Sequence, residues 1–420
     1  MILKEIRMID PLTGKDEIGN LHIANGKIVE DGSEDGKEIN CKGLVCFPGL
    51  IDLHVHLRDP GFTYKEDIET GTKAAAAGGF TTVCCMPNTN PVIDNIETIN
   101  YIQEKAKTAS CKVLPVAAVT KQQKGGELTD FAALKKAGAV ALSDDGYPVD
   151  SAKLLRDAMF LAKQQDLVII SHCEDREMVQ NYGVNEGVVS QKLGIDGRPA
   201  VAESLQVARD ILLAEDTGAK VHIAHVSTKK SVELIRHAKA NGLHVTAETC
   251  PQYFTLTEDA MLERGALARV NPPLRTAEDC KAILEGVIDG TIDAICTDHA
   301  PHSIEEKSGA IETAMSGMIG LETALGLSLT ALYHTGKLSF LELARRMSLA
   351  PAKLLCLDYK GLQVGAVADL CIFDPEEKWV VNPETFHSKA RNTPFGNMQL
   401  TGRVRYTILD GTIVYQNKGE

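Results

Sequence analysis

The middle of the chain alternates short apolar runs with longer segments in which apolar residues recur at helical spacing. The runs are rich in β-branched residues, which is typical of parallel strands buried on both faces. Helices are predicted between them, for example at Ala152–Gln165, Ala202–Thr217 and Lys229–Asn241. The predicted strands are Gly49–His56, Thr81–Met86, Lys112–Val119, Ala139–Ser143, Leu167–His172, Lys220–Val226, His244–Glu248 and Asp293–Thr297.

Eight strands joined by crossovers favour a (β/α)8 barrel, a TIM-like fold. A doubly wound open sheet is the alternative, but it usually has fewer strands and a glycine-rich turn after the first one. No G-x-G-x-x-G or P-loop pattern occurs in this sequence. We therefore predict an α/β chain whose central part is a barrel.

The two ends of the chain have a different pattern. Residues 1–48 contain short β-like pieces separated by turn signals, and the C-terminal part returns to this character in Ala368–Asp374 and Val404–Gly411. Two β-rich ends around one long middle predict a small β-sandwich domain built from both termini. The expected domains are the β domain at 1–48 and 361–420 and the barrel at 49–360.

Composition narrows the function classes. The chain has 420 residues, with 44 Lys+Arg, 57 Asp+Glu and a formal net charge of −13, and the absence of a basic cluster argues against nucleic-acid binding. No apolar run approaches the about 18 residues that span a bilayer, so no membrane segment is expected. The N-terminus lacks the pattern of a signal peptide, and a cytoplasmic location is expected.

The sequence has 11 cysteines and no C-x-x-C pair. An odd number of cysteines, mostly within apolar runs, indicates buried free thiols in a reducing compartment rather than a disulfide framework. Cysteine therefore does not enter the set of candidate ligands.

Metal-competent side chains follow several predicted strands. His54 and His56 are spaced i, i+2 on the first strand, so both imidazoles project to the same side, and Arg58 follows with the same parity. Imidazoles or carboxylates also end the fourth, fifth, sixth and eighth strands. Since the C-terminal ends of barrel strands form one face, these residues predict one metal centre. Its candidate ligands are His54, His56, His172, His225, Asp298 and either Asp144 or Asp145.

Four imidazoles and two carboxylates exceed the three or four protein ligands of a single zinc site. They suit two metal ions about 3.5–4 Å apart, bridged by a carboxylate. Zinc is the expected metal, and Mn²⁺, Co²⁺ and Fe²⁺ are alternatives. Such a centre lowers the pKa of bound water to about 7, and the resulting hydroxide attacks an acyl carbon. Asp298 is the candidate carboxylate that takes the proton and returns it to the leaving nitrogen.

Polar residues on the same face predict the substrate. Arg58 offers a planar guanidinium for a carboxylate, Asn88 and Asn271 are amide donors on proline-flanked loops, and His302 adds a further donor. Together they indicate a small acidic, amide-bearing substrate, and the polar segment 303–317 is a candidate lid. Histidines elsewhere, including two that open their strands, are expected to be structural: His22, His222, His237, His244, His334 and His387.

These motifs together resemble the amidohydrolase superfamily and, within it, the dihydroorotases of the long bacterial type. The resemblance covers essentially the whole chain and is carried by Phe47–Arg58, Met86–Thr89, Ser143–Gly146, His172–Asp175, His225–Ser227, Asn271–Arg275 and Thr297–His302. It implies a zinc-dependent enzyme of pyrimidine biosynthesis that catalyses the reversible cyclisation of N-carbamoyl-L-aspartate to (S)-dihydroorotate. In this reaction a metal-bound hydroxide attacks the ring amide.

The resemblance also implies roles by motif position, with one or two zinc ions per chain and two expected. The implied metal ligands are His54 and His56 for the first metal, His172 and His225 for the second, Asp145 as the bridge, and Asp298, which doubles as proton shuttle. The implied substrate-binding residues are Arg58, Asn88 and His302 at the substrate carboxylate, with further contacts from Asn271, Ser316 and Gly317.

Two departures from related patterns bear on the function. Hydantoinases, dihydropyrimidinases and the shorter dihydroorotases carry a lysine after strand four that is carboxylated and bridges the metals, whereas this strand ends Ser143-Asp144-Asp145. The missing lysine favours the long dihydroorotase type over hydantoinase and allantoinase activities. Met315-Ser316-Gly317 stands where the family pattern has Pro-Phe-Gly.

Two alternative functions follow from the same resemblance. One is another cyclic amidohydrolase activity, on hydantoin, dihydropyrimidine or allantoin. The other is a non-catalytic, dihydroorotase-like partner of aspartate transcarbamoylase, but such chains have lost metal ligands and all candidate positions are filled here. The resemblance also implies a homodimer and an association with aspartate transcarbamoylase.

Overall fold

The computed structural model describes residues 1–31, 36–179 and 183–417. Within these ranges the strands form two separate eight-stranded sheets, one in the middle of the chain and one from both ends. The strands are β1 Ile2–Asp10, β2 Lys15–Ala24, β3 Lys27–Val29, β4 Glu38–Asn40, β5 Val45–Pro48, β6 Leu50–Val55, β7 Phe80–Cys85, β8 Lys112–Ala117, β9 Ala141–Leu142, β10 Ile169–Ser171, β11 Val221–Ile223, β12 Val245–Thr249, β13 Ala294–Ile295, β14 Leu370–Val380, β15 Gln399–Leu409 and β16 Thr412–Gln416.

The central sheet is the predicted barrel. Strands β6 to β13 lie in sequence order, and each pairs in parallel with the next. A parallel bridge between Val55 and His299 brings the chain after β13 back to β6. All the predicted barrel strands occur, but most are shorter than expected, because the hydrogen-bonded ladder begins later at β9 and β10 and ends earlier at β8, β11 and β13. The fold class is confirmed.

Helices connect the barrel strands and pack around them. Several begin after a side chain that accepts a hydrogen bond from the first helical turn, which is the usual way to satisfy a free backbone N–H, and these N-caps are Asn95, Ser151, Thr228 and Thr276. The helices are α1 Ile68–Ala77, α2 Ile96–Ala106, α3 Phe131–Ala137, α4 Ala152–Gln164, α5 Val188–Leu193, α6 Val201–Thr217, α7 Lys229–Ala240, α8 Pro251–Thr255, α9 Ala260–Arg264, α10 Ala277–Asp289, α11 Ile304–Lys307, α12 Ala324–Ser328, α13 Phe340–Ala344 and α14 Ala350–Leu354.

The second sheet joins both ends of the chain. Its order is β16-β15-β14-β5-β1-β2-β3, with β4 beside β1. The short strand β5 is the link, since it pairs in parallel with β1 and antiparallel with β14. The sheet has its own apolar core, which includes Leu3, Ile6, Leu370 and Ile372. The domain boundaries at 48/49 and 360/361 stay a prediction.

Two expectations from composition concern cysteines and membranes. In the described part of the chain all eleven cysteines are free thiols, and all except Cys280 and Cys356 are buried. No helix in the described ranges is long and apolar enough to cross a membrane.

The end sheet contacts the barrel closely at Gly79, just before β7. Gly79 has φ +88°, a left-handed conformation that favours glycine. A Cβ atom placed there would lie 2.4 Å from Cys371 Sγ on β14. This distance is far below a normal contact, so the two sheets approach each other here only because residue 79 has no side chain.

We expect Gly79→Ala to destabilise the protein through this contact. Its matched control is Gly242→Ala, where φ is +74° but no heavy atom lies within 4 Å of an added Cβ. Both variants carry the conformational penalty, and only Gly79→Ala adds a steric overlap, which we expect to cost a further ~1–3 kcal/mol. Urea unfolding followed by circular dichroism measures the difference. Equal losses in the two variants would contradict the close approach.

Candidate active site

The carboxyl ends of the barrel strands surround a cavity of about 1170 Å³. His54 is fully buried next to the residues that line this cavity. The other predicted site residues all line this cavity: His56, Arg58, Asn88, Asp145, His172, His225, Asn271, Asp298, His302, Ser316 and Gly317.

His54 and His56 project from β6 and its end toward two carboxylates. His54 Nε2 lies 3.2 Å from Asp145 Oδ1 and 3.7 Å from Asp298 Oδ1. His56 Nε2 lies 3.0 Å from Asp298 Oδ1 and 3.6 Å from Asp145 Oδ2. The two-residue period of a strand gives both imidazoles this common direction.

His172 and His225 complete the ring of imidazoles. They follow β10 and β11, and His172 Nδ1 lies 2.8 Å from His225 Nε2. The same two atoms face Asp145 Oδ1 at 3.4 and 3.6 Å. All four imidazoles therefore converge on one carboxylate.

Asp144 and Asp145 have different surroundings. Asp144 accepts hydrogen bonds from the backbone N–H groups of Val119 and Thr120 and from the Thr120 hydroxyl, so it holds the loop after β8. Asp145 instead faces the imidazoles. The tertiary structure thus separates two adjacent carboxylates that are alternatives in the sequence.

Three site residues have an unusual backbone conformation. Arg58, His225 and Asp298 have φ values of 59°, 33° and 47°. Positive φ is uncommon for residues with a side chain and costs free energy. Such conformations persist where the surrounding contacts determine them, and here they direct three functional side chains into one cavity.

The charges of the centre are strongly coupled. Burial by itself lowers the pKa of His54, but the carboxylates of Asp145 and Glu248 outweigh burial and raise this pKa well above its usual value. Burial raises the pKa of Asp145, but the neighbouring imidazoles outweigh it and lower this pKa well below its usual value. The centre therefore stabilises positive charge next to its carboxylates.

Three buried atoms of the candidate ligands, His54 Nε2, His225 Nδ1 and Asp145 Oδ1, have no hydrogen-bond partner among the described residues. An unpartnered buried polar atom costs free energy that a bound cation would recover. Candidate ligand atoms lie within 4.8 Å of one another in two groups: His54, His56 and Asp298; and His54, Asp145 and His225. Imidazole and carboxylate ligands suit a divalent transition metal. The residues present fit the expected metal centre.

Glu248, which the sequence analysis missed, belongs to this centre. Its Oε1 accepts a hydrogen bond from His54 Nδ1 at 2.8 Å, and its Oε2 lies 3.2 Å from His222 Nε2, with all three side chains fully buried. The bond to Nδ1 leaves His54 Nε2 facing the centre, as is common for metal-binding histidines. The carboxylate of Glu248 therefore links His222 to His54 and so to the centre. The available signal was position, since Glu248 ends the seventh predicted strand.

Asn88 connects the two sides of the centre. Its amide oxygen accepts a hydrogen bond from His56 Nδ1 at 2.9 Å, and its amide nitrogen lies 3.4 Å from Asp145 Oδ2. The first bond places the proton of His56 on Nδ1 and leaves Nε2 facing Asp298. Asn88 therefore orients the centre as well as lining the cavity.

Asn271 is oriented by a buried ion pair that the sequence analysis did not identify. Arg198 donates to Asn271 Oδ1 and pairs with Glu174 Oε1 at 2.6 Å. The Asn271 amide nitrogen then points toward His172 Nε2 at 3.3 Å. Although burial raises the pKa of Glu174, His172 and Arg198 outweigh it and lower this pKa to about 2, so the pair is ionised.

Arg58 is the accessible cation on the other side of the cavity. Its Nε donates to Pro301 O at 3.2 Å, and its Nη2 lies 3.4 Å from His302 Nε2. In the described ranges no carboxylate forms an ion pair with Arg58. Burial, together with Arg58 and Lys65, lowers the pKa of His302 to about 3, so this imidazole is neutral. Attraction for an anion on this side therefore comes from Arg58.

Ser316 and Gly317 line the cavity from the segment after α11. His302 Nε2 donates to the Ser316 carbonyl oxygen at 2.9 Å. Gly317 has φ +144°, and an added Cβ would lie 2.9 Å from the carbonyl oxygen of Ala300. Glycine is required here because the segment crosses directly over the chain that follows the last barrel strand.

Comparisons with known proteins agree with this geometry. The family described as Dihydro-orotase-like matches residues 43–231. A solved structure of L-hydantoinase (dihydropyrimidinase) from Arthrobacter aurescens is similar, with a TM-score of 0.88 and 27% identity over 100% of this chain and 96% of the other. Dihydropyrimidinase from Brevibacillus agri shares the fold, with a TM-score of 0.87, 24% identity and coverage of 99% and 95%.

Curated relatives match over the full length. Dihydroorotase from Clostridioides difficile is 50% identical over 420 residues, covering 99% of both chains. Dihydroorotase from Ruminiclostridium cellulolyticum is 50% identical over 423 residues, covering 100% of this chain and 99% of the other. The resemblance inferred from the motifs is confirmed: this chain belongs to the dihydroorotase family.

Proposed function

We propose that this enzyme catalyses the reversible cyclisation of N-carbamoyl-L-aspartate to (S)-dihydroorotate. One observation carries the proposal: four imidazoles converge on Asp145, and the same cavity is lined by Arg58, which pairs with no carboxylate in the described ranges. The first group fits a hydrolytic metal centre, and the second fits an anionic substrate. The full-length relatives named dihydroorotase support the same reaction.

The proposed cofactor is zinc, with two ions per chain. His54, His56 and Asp298 would hold one ion, and Asp145, His172 and His225 would complete the site for the second. When bound, these ions would supply a Lewis acid and lower the pKa of coordinated water. Glu248 and Asn88 hold the two β6 imidazoles through Nδ1, so that Nε2 of each is directed at the centre.

Asp298 is the proposed proton carrier. Burial alone raises the pKa of Asp298, but the neighbouring imidazoles of His56 and His54 outweigh burial and lower it. The carboxylate is therefore ionised and able to accept a proton. Its place in the cavity, beside both predicted substrate-binding and metal-binding residues, lets it return that proton to the leaving nitrogen.

The remaining cavity residues are proposed to bind the substrate. Arg58 would pair with the substrate carboxylate, and the neutral His302 would lie beside it without charge, since its single N–H donates to the Ser316 carbonyl oxygen. Asn88 and Asn271 present amide groups from two sides, each held by a neighbouring side chain. Ser316 and Gly317 would contact the substrate from the segment above.

The homodimer, the association with aspartate transcarbamoylase and the cytoplasmic location stay predictions. Size-exclusion chromatography with light scattering, alone and with a purified transcarbamoylase, addresses the first two. None of them enters the chemistry proposed for the cavity.

We expect Glu248→Gln to lower zinc affinity about 10–100-fold, because His54 loses the carboxylate that fixes its orientation. Zinc retention against a competing chelator, measured by mass spectrometry of the metal, checks this. The control is Glu285→Gln, an exposed position on α10 with 59% side-chain exposure. Equal retention in both variants would remove Glu248 from the metal centre.

Asp298→Ala is expected to lower kcat per bound zinc in both directions about 10²–10⁴-fold, because the proton carrier is lost. Steady-state assays with dihydroorotate and with N-carbamoyl-L-aspartate, on samples whose zinc content is measured and restored, check this. Asp157→Ala, in an exposed ion pair on α4, is the control. Turnover near that of the control would exclude Asp298 as proton carrier.

Arg58→Met is expected to lower kcat/KM for dihydroorotate about 10–100-fold, mainly through KM, because the substrate carboxylate loses a charged partner. The control is Arg236→Met, an exposed ion-pair residue of α7. The same assay includes hydantoin, dihydrouracil and allantoin, which lack this carboxylate. Wild-type turnover of any of them above that of dihydroorotate would favour the alternative amidohydrolase activity.

A further inference from the structure

Lys307, the last residue of α11, is buried and makes three hydrogen bonds to backbone oxygens. Its Nζ lies 3.0 Å from the carbonyl oxygen of Arg269, 2.9 Å from that of Met315 and 3.0 Å from that of Gly317. Only 6% of the residue is exposed. An ammonium group has three N–H donors, so these oxygens use its full capacity.

The position of Lys307 is costly for a cation. Among the described residues no carboxylate forms an ion pair with it, and its three hydrogen bonds all go to carbonyl oxygens. Burial, together with the nearby Arg269, lowers the pKa of Lys307 to about 7. Burying a cation without a carboxylate partner costs free energy of folding. We therefore look for the role of Lys307 in the way it orients the carbonyl groups that it binds.

The three carbonyl groups belong to two segments that carry predicted substrate contacts. Arg269 lies two residues before Asn271, and Met315 and Gly317 flank Ser316. Two further hydrogen bonds join the same segments, since Gly317 N donates to Arg269 O at 3.0 Å and Arg269 Nε donates to Ser316 Oγ at 3.1 Å. Lys307 is thus the point at which the two segments meet.

The same contact determines the direction of a peptide group at the cavity. In a trans peptide the C=O of Met315 and the N–H of Ser316 point in opposite directions. Because the oxygen points to Lys307, the Ser316 N–H points away from it, and Ser316 lines the cavity. Across the described ranges this N–H has no hydrogen-bond partner. A free backbone N–H on a cavity wall is a donor for an anion.

We propose that Lys307 is a positioning residue, which gathers the carbonyl groups of Arg269, Met315 and Gly317 and thereby presents the Ser316 N–H to a carboxylate of the substrate. This inference rests on the proposed function for the identity of the substrate. Lys307 does not touch the substrate itself. Lys307 acts on the cavity by orienting the Met315–Ser316 peptide group. It also orients the Ser316 carbonyl group, which accepts a hydrogen bond from His302.

The test compares Lys307→Met with wild type and with Lys281→Met, whose lysine is 75% exposed on α10. All proteins are full-length and zinc-loaded. We expect Lys307→Met to raise KM for dihydroorotate about tenfold or more, with kcat within about threefold and zinc content unchanged. Hydrogen–deuterium exchange of peptides covering 303–317 is expected to be faster in Lys307→Met only.

Each outcome decides the question. An unchanged KM overturns the proposal even if exchange is faster or the melting temperature falls, because Lys307 then only stabilises the fold. Loss of zinc overturns it as well. If Lys307→Met is not folded by circular dichroism, Lys307→Gln takes its place, with a smaller KM increase in the same direction expected. If wild type does not turn over dihydroorotate, the proposed function fails. In that case, unchanged hydrogen–deuterium exchange of the 303–317 peptides in Lys307→Met would also overturn the positioning role of Lys307.

Discussion

One buried carboxylate surrounded by imidazoles organises the C-terminal end of the barrel. Asp145 lies between 3.2 and 3.6 Å from ring nitrogens of four histidines, one within β6 and three after the ends of β6, β10 and β11. Such a cluster is stable only if its charges are compensated inside the protein or by a cation. The short strand β9, with two residues, lets the chain leave the ladder early and bring Asp145 into this position.

The side chains around the cluster hold its imidazoles and the adjoining loop in their orientations. Glu248 and Asn88 determine which ring nitrogen of the two β6 histidines faces the centre. Asp144 holds the loop after β8 in place, next to the residue that enters the cluster. Positive φ angles at several strand ends redirect the chain where an ordinary strand would continue. The geometry is therefore imposed by buried polar contacts, since apolar packing alone does not specify the direction of a side chain.

Charge is divided across the cavity in a chain whose net charge is −13. The carboxylates of the centre gather at the strand ends, and two arginines, Arg58 and Arg198, line the cavity on different sides. Local cations inside a negative protein are consistent with the capture of a small anion, because interactions in a confined, partly buried space are weakly screened. Net charge thus says little about the substrate.

The sequence by itself determined the barrel, the end sheet and the residue types at the strand ends, because a buried parallel strand has a visible apolar pattern and a polar residue directly after it interrupts that pattern. Only the tertiary structure separated Asp144 from Asp145, joined Glu248 and His222 to the centre, and placed Lys307 between two loops. The reason is physical: these roles depend on hydrogen bonds between residues far apart in the chain, and only the folded structure brings those partners within reach of one another.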